Sequence, residues 1–101
     1  MIFDLLAGAL LVNALPHLIS GLQGRAFPSP FAKPPGRGNS SPVVNVVWGF
    51  ANLFGGLALL AYRPVGLAFT PEAAMVAIGG FVLGVPIAYH FGKVRSETAE
   101  H

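Results

Sequence analysis

Three apolar runs, Ile2 to Leu22, Val43 to Tyr62 and Glu72 to Phe91, constrain what this chain can fold into more than any other feature. Each is close to the ~20 residues that a helix needs to cross about 30 Å of hydrocarbon. In lipid every backbone N–H and C=O must find a partner within the protein, which a helix provides within its own segment. Composition points the same way. Hydrophobic residues make up 53% of the chain and charged residues 10%, against about 25% charged in a soluble domain. A chain this small has a high surface-to-volume ratio and would need far more polar side chains to face water. The expected fold is therefore an all-α integral membrane domain of three transmembrane helices.

The ends of the runs carry matching signals. Ser41-Pro42 reads as an N-cap followed by proline at the first helical position, and Thr70-Pro71-Glu72 repeats the device. Gly21 and Gly24 are placed to end the first helix. The expected layout is one membrane domain over 1–101, with spans at 2–22, 43–62 and 72–91. A proline-rich loop, 23–42, and a short loop, 63–71, connect the spans, and the tail, 92–101, is expected to be frayed or weakly helical. The first run has no basic segment before it and no convincing cleavage site after it, so it reads as a retained span and not a signal peptide.

Basic residues set the expected orientation. Arg25, Lys33 and Arg37 lie in the first loop, Arg63 in the second, and Lys93 and Arg95 in the tail. The first loop and the tail share a side, and the positive-inside rule makes that side cytoplasmic: N-terminus out, C-terminus in, in the inner (plasma) membrane. Trp48 and Tyr62 fit the two interfacial aromatic belts.

Polar residues inside spans are costly and mark either helix contacts or a site. Asn13 and His17 lie four apart on one face of span one, and Asn45 and Asn52 share a stripe with Gly49 and Gly56 on span two. Span three offers Ala73, Ala77, Gly80, Gly84 and Ala88. Gly49, Gly56, Ala77, Gly80 and Gly84 are read as packing positions, because small residues let helix backbones approach closely in lipid. At ~1.5 Å rise per residue, Asn13 and Asn52 fall near mid-membrane, and His17 roughly 8 Å below the loop-side surface. The polar groups thus form a column opening toward the proline-rich loop. Asparagines often serve only as interhelical glue, and that reading stands beside the functional one for Asn45 and Asn52. A titratable group such as His17 is a site candidate by default. His90 is read as an interfacial anchor, and Asp4 as a group at the helix's first turn that the dipole stabilises.

The first loop holds "FPSPFAKPPGRGNSSP", with five prolines, two glycines, two basic residues and no acid. Phe27 and Phe31 are side chains that a solvated spacer does not need, which suggests a lid over the column. Arg25 and Arg37 are expected to frame its mouth and to favour a small polar or anionic solute. A strap for lipid headgroups or a protein partner is the competing reading.

Composition and motifs narrow the function classes. Cysteine is absent, and three histidines at 17, 90 and 101 do not make a metal site by spacing, so no metal or cofactor is expected. No metalloprotease helix, nucleophile elbow, paired carboxylates or phosphate-binding loop is present. Six Lys/Arg against four Asp/Glu is too thin a balance for nucleic acid. Three helices enclose little of a path, so a transporter or channel would be a homo-oligomer; an accessory subunit of a larger complex is the alternative. In architecture the chain resembles the bacterial half-transporters of the SemiSWEET family: three spans, an outside N-terminus, and Leu15-Pro16-His17 where that family has Pro-Gln. It departs from them in its long first loop and in lacking an asparagine on span three.

Overall fold

The structure is a computed structural model that describes residues 1–66 and 68–99, apart from the side chains of Thr98 and Ala99. Its elements in chain order are α1 (Ile2–Leu22), β1 (Phe27–Pro28), β2 (Asn39–Ser40), α2 (Pro42–Tyr62) and α3 (Pro71–Ala99). All three helices are long and apolar enough to cross a membrane. The helix starts follow their caps. Ser41 Oγ accepts from Val44 N at 3.2 Å and Thr70 Oγ1 from Ala73 N at 3.1 Å, with proline next in line at each. α1 ends in a Schellman arrangement, with Gly24 at φ +74°, Gly24 N–H donating to Gly21 O and Arg25 N–H to Ser20 O. Gly21 itself stays inside the helix and packs against Pro42 and Val46.

α1 is the central helix. α2 and α3 both pack along it and touch each other little. The approach is close because glycines remove the side chains in between. A Cβ on Gly8 would overlap the Val76 carbonyl of α3, and one on Gly79 the Leu5 backbone. On the other side Gly49 meets Leu18, and Gly56 meets Leu11. Such contacts are how lipid-embedded helices gain van der Waals energy without a hydrophobic drive between them.

Two sequence expectations need correcting. On α3, Gly80 and Gly84 face Val12 of α1 as expected, but Ala77 and Ala88 are exposed, and Gly79 takes the inward place beside Gly80. At 3.6 residues per turn Ala77 and Ala88 lie about 60° and 80° to one side of Gly80, whereas the packed side runs to the other, through Val76, Gly79, Leu83 and Ile87. The tail is not frayed: α3 continues for 29 residues, about 43 Å, well past the apolar run. Val94 is buried, and Glu97 accepts an ion-paired hydrogen bond from Arg37 at 2.8 Å, so the extra turns are held by the first loop. Glu100 and His101, the end of the expected tail, lie outside the described residues.

The first loop folds back across the end of the bundle. β1 and β2 pair antiparallel, Phe27 with Ser40 and Pro28 with Asn39. Ser29 and Ser40 share a buried hydroxyl–hydroxyl bond of 2.6 Å, and the Ser29 carbonyl accepts from the N–H groups of Ala32 and Gly36.

The glycine contacts yield a direct test. Gly8→Leu should force α1 and α3 apart and lower stability by about 1–3 kcal/mol. Gly92→Ala, where a methyl meets open space, should leave stability unchanged or raise it by up to ~1 kcal/mol through helix propensity. Thermal melting of the detergent-solubilised protein, followed by circular dichroism, separates the two; equal melting would remove the close α1–α3 approach.

Candidate functional site

The intramembrane polar residues meet in two rungs. Near the middle, Asn13 Nδ2 of α1 donates to Asn52 Oδ1 of α2 at 3.0 Å, and Asn52 Nδ2 turns back to its own helix at Trp48 O, 2.9 Å. One turn nearer the loop, His17 Nδ1 lies 2.7 Å from Asn45 Oδ1. Asn45 Nδ2 is within hydrogen-bond distance of three loop and cap carbonyls: Phe27 O at 2.9 Å, Ser41 O at 3.1 Å and Ser40 O at 3.2 Å. Asn45 is fully buried and His17 only 2% exposed.

Elementary hydrogen-bond chemistry fixes the histidine tautomer. Carbonyls only accept, so the Asn45 nitrogen must be the atom facing them, and its oxygen must accept from His17. His17 Nδ1 therefore carries the hydrogen, and in the neutral ring Nε2 keeps its lone pair. Among the described residues nothing donates to that nitrogen. The ring is held edge-to-face by Phe27 at 5.5 Å and by Phe91 at 6.2 Å.

Beside this rung lies a cavity of about 130 Å³ whose wall includes Asn13, His17, Ser29, Trp48, His90 and Phe91. At ~30 Å³ per water it has room for several waters or one small solute. His90, on α3, donates from Nε2 to Gly36 O at 2.8 Å and so ties the loop to the third helix. Gly36 sits at φ +72°, a left-handed turn that a side chain would strain. Phe31 closes edge-to-face on Trp48 with ring centres 5.2 Å apart. The indole Nε1–H of Trp48 is buried and has no acceptor among the described residues.

Of the residues singled out in the sequence, Asn13, His17, Asn45 and Asn52 lie together in the two rungs, while only Asn13 and His17 border the cavity. Arg25 and Arg37 do not line it. Arg25 is exposed beyond the end of α1, and Arg37 turns outward to Glu97 on the helical extension of α3. Sequence reasoning missed Trp48 and His90 as cavity residues. Their contacts run through the folded loop, and spacing along helices carries no trace of them. The chain matches no protein family, no curated protein and no solved structure.

Asn45 holds the loop down, so its removal should release it. Asn45→Ala removes the donor that ties the paired Phe27 and Ser40 carbonyls to α2, and it leaves the buried His17 N–H without its acceptor, at about 1–3 kcal/mol. Trypsin cleavage after Arg25 and Arg37 of the folded protein should accelerate on the order of tenfold or more, since cleavage follows the open population. A cleavage rate equal to that of the parent would mean that Asn45 does not anchor the loop.

Proposed function

We propose that this protein binds a small, neutral, polar solute in the loop-capped cavity, as the binding unit of an oligomeric membrane transporter or channel. The observation that carries the reading is a pair of unsatisfied groups on two residues of the cavity wall: the buried Trp48 N–H, which has no acceptor among the described residues, and the free lone pair of His17. A buried donor without an acceptor is a destabilising feature of about 1–3 kcal/mol, and a ligand acceptor relieves it. Among the described residues the wall includes no Lys, Arg, Asp or Glu. A carboxylate would bring no hydrogen for His17 Nε2, and neither a carboxylate nor a phosphate would meet a counter-charge. A hydroxyl or primary amide offers both the acceptor that Trp48 needs and the donor that His17 needs, which favours a neutral solute over an anionic one.

In this reading the first loop is a lid on the cytoplasmic side of the inner membrane, with the N-terminus outside, in accord with five of the six Lys/Arg lying on the loop-and-tail side. The assembly is a homo-oligomer, because three helices enclose no continuous path. The inward glycines already serve α1, so the subunit contacts fall to the exposed outer faces of α2 and α3. Lid opening requires the His90–Gly36, Phe31–Trp48 and Asn45–Phe27 contacts to part together.

Trp48→Phe tests the proposal, because it keeps the ring and deletes the N–H. Native mass spectrometry of gently solubilised protein should show a small-molecule adduct on the parent and about tenfold less on the variant, the weight of one good hydrogen bond. The ligand-free variant should melt at a higher temperature than the ligand-free parent, since the orphaned donor is gone. Adduct retained in full by Trp48→Phe, or a parent that carries none from cell extract, would overturn the reading.

A further inference from the structure

We propose a second site, for the headgroup of an anionic phospholipid, in the pocket where the first loop meets the extension of α3. This pocket, about 290 Å³, is lined by Phe27, Pro28, Asn39, Phe91, Val94 and Arg95. Phe91 borders the polar cavity as well, but the two share no charged group. The lining is divided. Phe27, Pro28, Phe91 and Val94 make an apolar wall, while Arg95 and the exposed Asn39 supply the polar groups.

Position and charge select the occupant. Phe91 closes the apolar run of α3, and Arg95 stands one turn further on, roughly 6 Å along the axis. The pocket therefore lies where hydrocarbon gives way to lipid headgroups. Arg95 has no acid partner among the described residues, unlike Arg37, which Glu97 neutralises. Arg25, next to Ala26 in the pocket wall, adds a second exposed cation nearby in the chain. A guanidinium takes a phosphate through two parallel N–H bonds. The Asn39 carboxamide, which makes no side-chain hydrogen bond among the described residues, is available to a headgroup hydroxyl. The apolar wall suits the glycerol and first acyl carbons, which a free phosphate ion lacks. In a membrane the lipid is also the solvent, so a modest intrinsic affinity fills such a pocket.

Occupation would couple lipid to the lid, because the pocket is built from β1 and β2 on one side and α3 on the other. A lipid seated there would brace the loop in its closed position. This inference is independent of the solute bound in the polar cavity.

The test uses the purified full chain in detergent, titrated in native mass spectrometry with dioctanoyl phosphatidylglycerol, dioctanoyl phosphatidylcholine or inorganic phosphate. The anionic lipid should give at least about fivefold more one-to-one adduct than the zwitterionic one. Arg95→Gln should bring it down to the zwitterionic level, Arg95→Lys should keep part of it, and Lys93→Gln, outside the pocket wall, should keep most of it. Arg95 is exposed, so these variants are expected to melt like the parent. Equal adducts from the two lipids, or full retention by Arg95→Gln, would overturn the proposal. An equal loss in Lys93→Gln would reduce it to unspecific charge. Inorganic phosphate binding as strongly as the anionic lipid, with the same Arg95 dependence, would replace the lipid with a soluble anion.

Discussion

The carboxamide of Asn45 holds the rest of the arrangement in place. One fully buried side chain bonds His17 of α1, the Phe27 carbonyl of β1, and the Ser40 and Ser41 carbonyls that lead into α2. In a low-dielectric interior such a network is strong when complete and costly when broken. It fixes the tautomer of His17, since among the described residues the amide oxygen has only the ring N–H to accept from. It also brings Phe27 against His17 and Phe91, which seats the hairpin on the end of the bundle. The cavity wall follows from these placements.

The second constraint is the glycine contact along α1. Gly8 and Gly79 let backbone meet backbone between α1 and α3, while Gly49 and Gly56 receive Leu18 and Leu11 between α1 and α2. A three-helix protein in lipid has no hydrophobic effect to hold its helices together, so interdigitated packing and a few polar rungs must do it. The division is clean here. The α1–α2 interface carries both asparagine rungs, whereas among the described residues α1 and α3 meet without a side-chain hydrogen bond. What ties α3 in by polar contact is the loop, through His90 and Glu97.

Much of this was legible in the sequence because lipid imposes strict local rules. The spans, the caps at Ser41 and Thr70, and the shared faces of Asn13 with His17 and of Asn45 with Asn52 all follow from length, spacing and the need to satisfy backbone groups. The illegible parts depend on a non-local event, the folding of the loop onto the helix ends. Residue 36 reaching residue 90, and residue 37 reaching residue 97, leave no periodic signature. For the same reason Arg37 read as a free cation at the mouth, and α3 as ending at Phe91. Ala77 was misplaced by a different cause: small residues occur on both sides of Gly80, and spacing alone does not say whether the Ala77 side or the Gly79 side turns toward α1.

The proline content of the loop has a physical rationale in this setting. Any backbone brought onto the buried end of a helix bundle must have its N–H groups satisfied. Each proline removes one such donor while keeping a carbonyl. Pro28, in the middle of the buried stretch from Phe27 to Ser29, has none to satisfy. The carbonyls that remain are what the helices reach for, with Asn45 donating to Phe27, Ser40 and Ser41, and His90 donating to Gly36. Loop and membrane helices are thus complementary in hydrogen-bond sense: the loop contributes acceptors and the polar side chains of the spans contribute donors. Prolines also narrow the conformations that an undocked loop explores, which lowers the entropy lost on closing. A polar, flexible linker of equal length would bring more donors and lose more entropy, so it would cover the cavity less firmly.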